Sequence, residues 1–486
     1  MANFLFRVLC LLLLSATAAY AQQTFYVATN GVDTAAGGSL AAPWRTITFA
    51  LDQVPDQSLI LVRPGVYTGR IRIRGQFAQG VIVRSQVPYQ AQLRAAEAVL
   101  TIYNDNANIE GISIEDFDIA HTGPGAAALV VQIQDGFGTE TRRITLRNNI
   151  LHDSFNNDIL KINNGASAIR VIGNVFYNQT GSDEHIDINS VDDVIVEDNV
   201  FFNNFAASGR VNTNTTSSYI VVKDSNAADD EYVGARNVFV RRNLFLNWEG
   251  SPGAGFVLFG EDGVAYFEAF NCVVENNLLL GNSANPMRSP LGVKGSRDIV
   301  FRHNTVSGNL PANAFATRLN VEVDNPQVEA IRFVHNVFSD PTGSMLDFSD
   351  TAAADLSTVR PSSLSRNAYW NNGAALPFDA TDVLNITNDA NRIEADPFLA
   401  AQTGVQTPHW LPAQNQFNGG YSNIRAAFVA LVTQYATPSA GAMILDAATP
   451  GADVPATDIL GRARPANGAD LGCFERDSGL FANGFE

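Results

Sequence analysis

Lysine is almost missing from this sequence. Of the 31 basic residues among 486, only Lys161, Lys223 and Lys294 are lysines and the rest are arginines. A chain of this length would ordinarily carry roughly 25–30 lysines. Cysteine is nearly as scarce: Cys10, Cys272 and Cys473 are too few for a zinc site or a disulfide framework. Positive charge is short overall, with 49 acidic residues and a net charge of −18. That excludes a nucleic-acid binder and a polybasic membrane-surface protein, both of which need a basic face. No apolar run approaches the about 20 residues of a membrane-spanning helix, so no membrane anchor is expected. A P-loop, a dinucleotide fingerprint and a G-x-S-x-G elbow are absent too.

The 46% of hydrophobic residues excludes a wholly disordered chain. Arg7, the apolar run Val8 to Leu14 and the Ala19-Tyr20-Ala21 cleavage site read as a signal peptide over residues 1–21, which implies export. Its removal takes Cys10 away. Cys272 and Cys473 are then expected to be buried free thiols, with a single bridge as the alternative.

One short phrase recurs along the middle of the chain. It reads ITLRNNIL at 144, IRVIGNVF at 169, VIVEDNVF at 194, VFVRRNLF at 238, CVVENNLL at 272, IVFRHNTV at 299 and IRFVHNVF at 331, with a weaker SLSRNAYW at 362. The shared asparagines are Asn149, Asn174, Asn199, Asn243, Asn277, Asn304, Asn336 and Asn367, spaced by 25, 25, 44, 34, 27, 32 and 31 residues. Hydrophobicity alternates with period two inside each phrase, so these are strands. Asparagine at the end of each strand predicts a left-handed bend and, in stacked coils, an amide ladder. A second alternating phrase precedes most of them: ILKIN at 159, HIDIN at 185, YIVVK at 219, FVLFG at 256 and LGVKG at 291. A unit of two or three short strands cannot bury its own apolar face and must stack on its neighbours. The fold expected is an all-β, right-handed parallel β-helix over residues 22–400. Ile47, Ala50, Leu51 and Val54 mark an N-terminal capping helix. Residues 401–486 lose the repeat and read as a C-terminal cap or accessory region, with a helix near Asn423 to Tyr435.

The second phrase also carries charge. Asp158 precedes ILKIN, and Asp183-Glu184-His185-Ile186-Asp187 lies one coil later. Such crowded carboxylates are hard oxygen ligands suited to calcium, although acids on β-helix turns are often no more than a solvated face. In Ile186-Asp187-Ile188 the isoleucines point inward and Asp187 outward to solvent; Lys161 points outward likewise. Lys223 falls on the corresponding strand of the next coil. A calcium ion beside a neutral lysine suits removal of the acidic proton next to a uronate carboxylate, with expulsion of the linkage oxygen. Lys223 must then be deprotonated, so its pKa must fall. Lys294, Arg288 and Arg297 could bind uronate carboxylates, and Lys161 could hold Asp187 or serve as the base. The remaining histidines, His121, His152, His303, His335 and His409, are taken as surface or turn residues.

The opening FYVATNGVDTAAGGSLAAPWRTITFAL, followed by LILVRPGVYTGRIRIR, resembles secreted bacterial β-helix polysaccharide lyases. So does the ending, with Asp396-Pro397-Phe398, Asp458-x-x-Gly461-x-x-Arg464-Pro465 and Asp470-Leu471-Gly472. The charged constellation resembles the calcium-dependent pectate lyases of polysaccharide-lyase family nine. The resemblance implies Asp158, Asp183, Glu184 and Asp187 as calcium ligands and Lys223 as the base. Glu184 stands where that family has Asp, and His185 where Gly is usual, so His185 would crowd the metal or touch substrate. The implied partner is an acidic polysaccharide cleaved by a secreted monomer, extracellular or periplasmic. Two alternatives remain open at this point: a glycoside hydrolase using two of the carboxylates, and a non-catalytic adhesive or carbohydrate-binding β-helix.

Overall fold

The structure, a computed structural model, describes residues 22–476 apart from 182, 228–231, 282, 311–312 and 353–359. The expected signal peptide and the tail Leu480–Glu486 lie outside the described residues. The chain winds as a right-handed parallel β-helix whose coils each contribute a strand to three long sheets of 12, 10 and 12 strands. All strand pairs in these sheets are parallel, and each pairs with its equivalent one coil away. Inward-facing Ile, Val, Leu and Phe fill one continuous core from Val27 to Ile386. Aromatic rings stack coil on coil inside it, as in Phe176, Phe201 and Phe245 with centroids 4.9–5.0 Å apart.

The asparagine ladder forms as one unbroken chain. Each ladder side chain donates through Nδ2 to the Oδ1 of the next, from Asn149 through Asn174, Asn199, Asn243, Asn277, Asn304 and Asn336 to Asn367, at 2.9–3.1 Å. The last member, Asn367, donates to Asp389 Oδ2 at 2.8 Å. An acceptor-only carboxylate is the fitting terminus, because it has no donor left to satisfy. The left-handed residue, however, is the one before each ladder asparagine: Asn148, Gly173, Asp198, Arg242, Asn276, His303, His335 and Arg366 all have φ between 51° and 68°. The ladder residue itself is fully committed to hydrogen bonding, so the preceding residue takes the strained turn.

Helix α1, Ile47–Gln53, is capped by Thr46 Oγ1 accepting from the Phe49 amide, and buries Ile47, Ala50 and Leu51 over the first coil. At the other end Leu384 and Ile386 complete the core. Residues beyond 400 therefore do not cap the coil ends. Helix α2, Ile424–Ala436, lies along the flank, packing Phe428, Leu431 and Val432 on the outward-facing Ile150, Val175, Val200, Leu244 and Leu278. The reason is local: this sheet is apolar on both faces, and its outer face needs cover. Arg464 seals the seam, bonding Glu475 at 2.8 Å and Asn276 at 3.1 Å. Cys272 and Cys473 are buried and free. His121, His303 and His335 are buried rather than superficial. Among the described residues no helix is long and apolar enough to cross a membrane.

Candidate active site

The 10-stranded sheet carries the charged groups on its outer face. Its central strands are Leu160–Asn163, Ile186–Asn189, Thr216–Lys223, Gly250–Phe259, Leu291–Lys294 and Thr317–Asn320, adjacent in that order. Lys161, Lys223 and Lys294, all the lysines of the chain, sit on this one sheet. Register places Lys161 beside Asp187, and Asn163 beside Asn189 beside Lys223.

Asp158, Asp183 and Glu184 converge so that one carboxylate oxygen of each lies within 4.8 Å of the others. The amide of Glu184 donates to Asp158 Oδ1 at 3.0 Å, which locks the two turns together. Asp187 faces outward from the coil but is only 2% exposed, because Lys161 and Lys223 cover it. Its Oδ2 accepts from Lys161 Nζ at 2.5 Å, while its Oδ1 is buried without a partner. Lys161 Nζ also lies 3.9 Å from Asp158.

Glu261 and Asp262 complete the cluster, and sequence reading missed both. Lys223 Nζ donates to Glu261 Oε2 at 2.6 Å and lies 3.6 Å from Asp262 and 3.9 Å from Asp187. The loop is held by buried Glu268, whose carboxylate accepts from the amides of Glu261, Asp262 and Gly263 at 2.7–3.1 Å. The available signal was positional: Glu261 follows FVLFG as Asp224 follows YIVVK.

Six carboxylates, Asp158, Asp183, Glu184, Asp187, Glu261 and Asp262, thus face two ammonium groups, Lys161 and Lys223. The imbalance shows in the proton affinities. Burial, then the charge of Asp187, pushes Asp158 up to about 7. Burial, then Glu261, raises Glu184 well above the usual carboxylate range, and burial also raises Asp183. Burial opposes the charged form of Lys223, yet Asp187, Glu261, Glu184 and Asp262 together raise it above an ordinary lysine. The lowered pKa that the sequence reading required is therefore not found: Lys223 is held protonated by its acid shell. The donor set suits a divalent cation, since Asp158, Asp183 and Glu184 bring three hard oxygens together, and Lys161, 3.9 Å from Asp158, is bonded to Asp187 instead.

His185 does not reach this site. Its ring is fully buried, stacked 4.2 Å from Tyr219, with Nε2 bonded to Asn203 Oδ1 at 2.8 Å. Burial lowers it to about 3, so it is neutral. The signal was legible: ILKIN, HIDIN, YIVVK and FVLFG align His185 with Ile159, Tyr219 and Phe256, a column that faces inward. A role in metal or substrate contact is overturned for that reason. Arg288 Nε pairs with Asp350 at 2.5 Å, and Lys294 pairs with Glu322, both further along the same sheet. Arg297 starts a strand of a different sheet, where it lies over Phe267, and takes no part.

No protein-family profile and no curated protein matches the sequence. Solved structures that align over most of the chain include the following two. The pectate lyase Pel9A has a TM-score of 0.52 and 15% identity, over 94% of this chain and 97% of that one. The GH136 lacto-N-biosidase from Eubacterium ramulus has a TM-score of 0.50 and 10% identity, over 78% and 67%. The shared feature is the parallel β-helix. The fold thus belongs with those of polysaccharide lyases and glycoside hydrolases, which leaves the chemistry to the site.

Proposed function

We propose that this protein is a secreted lyase that cleaves a pectate-like polyuronate by calcium-assisted β-elimination, with Lys223 as the base. The observation that supports it is the convergence of Asp158, Asp183, Glu184 and Asp187 with Lys161 and Lys223 on one outer face. Asp158, Asp183 and Glu184 would hold calcium, and Asp187, whose Oδ1 has no partner, would be a fourth ligand. Bound there, calcium would supply a Lewis acid that neutralises the uronate carboxylate next to the acidic carbon. Lys161 anchors Asp187. Lys223 Nζ, once neutral, takes the proton from that carbon; the freed electron pair forms the new C=C bond as the bond to the linkage oxygen breaks, and that oxygen leaves with a proton from solvent. Lys223 can do so only once the charge of its carboxylate neighbours is balanced and Glu261 has released it.

Incubation with polygalacturonate, alginate and neutral glucans, with and without chelator, tests this reading. The expected result is ultraviolet absorbance of an unsaturated product from a polyuronate, lost on chelation. Reducing sugar without that absorbance would instead favour a glycoside hydrolase. That second reading has one observation behind it: Asp158, at about 7, is a carboxyl that keeps its proton near neutrality among other acids, as a glycosidase acid does.

Stability should report the cation independently of turnover. Asp158 binds its proton more tightly in the fold than in the unfolded chain. Without metal, the contribution of Asp158 to stability is therefore full in acid, below its unfolded value, and is lost as pH rises to about 7. Calcium competes with that proton. Thermal unfolding at pH 5 and pH 8, in chelator and in calcium, should show a larger calcium-induced rise in Tm at pH 8. At a hundredfold excess over Kd the stabilisation is about 2.7 kcal/mol. Equal shifts at both pH values, or none, would remove Asp158 from the ligand set.

A further inference from the structure

Arg318 is a buried cation with no carboxylate in direct contact, although Asp350 and Glu322 lie near enough to act on its charge. It is 7% exposed, and among the described residues no carboxylate lies within ion-pairing distance of it. Asp350 is its direct neighbour in register on the next strand, yet Asp350 is taken by Arg288. Arg318 Nε is buried with no hydrogen-bond partner, and Nη1 has only the carbonyl of Gly253, at 3.3 Å. Burial and the nearby Arg288 lower it to about 10 against the opposing charges of Asp350 and Glu322, so it stays charged at neutral pH. A desolvated guanidinium left unpaired is costly, and a carboxylate satisfies its fork in two places at once.

The side chain also points the right way. Gly292 precedes Arg318 in the outward row, and a Cβ there would lie 3.3 Å from Arg318 Cδ and 3.2 Å from Leu258 Cδ1. The missing side chain lets Arg318 lie back along the face. Its bond to Gly253 shows that it reaches the strand Gly250–Phe259, which neighbours the strand carrying Lys223. Between them the same row offers Val221 and Leu258, an apolar floor. Other buried polar atoms without partners lie on this face, Asp187 Oδ1 at the acid cluster and Asn320 Oδ1 beside Arg318. Coils are spaced by about 4.8 Å, close to the length of one pyranose ring along a polysaccharide.

We infer that Arg318 is a carboxylate-binding subsite that grips a uronate unit of the same chain, on the Lys294 side of the reacting unit. This rests on the lyase reading for its substrate class. Arg318 binds and orients; it performs no chemistry.

The test measures binding separately from turnover. Arg318→Gln and Arg318→Lys would each be made in the Lys223→Arg background and titrated with polygalacturonate and with fully methyl-esterified pectin. Arg318→Gln should weaken polygalacturonate binding at least about tenfold and leave the ester unaffected, with Arg318→Lys in between. In the active enzyme the same change should raise KM more than it lowers kcat. Equal loss on both polymers, or none on either, overturns the subsite; so does a starting protein that binds no polyuronate. If selective binding is lost but the unaltered enzyme never produces an unsaturated product, the lyase reading fails and the subsite stands. Should Arg318→Gln not fold, the charge-retaining Arg318→Lys alone must still show the polygalacturonate-selective loss, or the inference fails.

Discussion

Lys223→Arg should fold like the natural protein and lose about a thousandfold in turnover of its polyuronate. A positioned general base contributes about 10²–10⁴-fold, and arginine cannot give up its proton to serve as one. The choice of arginine matters. Lys223 pairs with Glu261 at 2.6 Å and neighbours Asp187 and Asp262. Removing its charge altogether, as in Lys223→Ala, leaves the part-exposed Glu261 and Asp262 without their cation and should cost less than the about 3–5 kcal/mol of a broken fully buried pair. The arginine variant keeps the ion pairs and removes only the base, so a Tm close to that of the natural protein with turnover abolished assigns the role. Lys223→Ala should lose turnover equally and unfold at a lower temperature. Activity within tenfold of the original in Lys223→Arg would eliminate Lys223 as the base. Lys161, which is bonded to Asp187 and lies near Asp158, would then be the lysine to test.

The largest stability loss is expected inside the barrel, at Asn243→Ala. This side chain accepts from the Asn199 amide at 3.1 Å and from Asn199 Nδ2 at 3.0 Å. It donates to the Val196 carbonyl at 2.9 Å and to Asn277 Oδ1 at 3.0 Å. Truncation orphans the Asn199 amide and the Val196 carbonyl where water cannot reach, and opens a void. Each buried orphan costs about 1–3 kcal/mol, so the total should be about 3–5 kcal/mol. Asn148→Gly supplies the contrast. Asn148 holds φ of 54° just before the ladder, a conformation glycine adopts without strain, and the change should stay within about 1 kcal/mol. Denaturant midpoints of the two variants check this directly. A small effect at Asn243 would mean that adjacent coils close over the gap.

Much of this architecture was readable before any coordinates. Alternation with period two makes a strand wherever it occurs, because successive side chains leave opposite faces. A repeated asparagine at the same point of each strand implies stacking, since its amide can be satisfied only by the next coil. The capping helix followed from four apolar positions at helical spacing. The acid cluster was also found, because Asp158, Asp183, Glu184 and Asp187 stand in two adjacent phrases. His185 was misjudged although its column held the answer: beside an acid run it was read for its chemistry, and Ile159, Tyr219 and Phe256 show that the position faces the core.

Other features depended on distances between coils. Insertions that stretch the repeat to 44 and 34 residues leave open which loop returns over the sheet, so Glu261 and Asp262 could not be placed beside Lys223. Proton affinity is collective as well: a lysine read alone needs a lowered pKa, whereas one surrounded by four carboxylates is raised. The flank covered by α2 and the unpaired guanidinium of Arg318 belong to the same class. Sequence by itself determined the coil, its ladder and the sheet on which all three lysines stand, because period and stacking are properties of each repeat. Only the tertiary structure decided which charges share an environment, because burial and Coulomb interactions depend on the spacing between residues that are far apart along the chain.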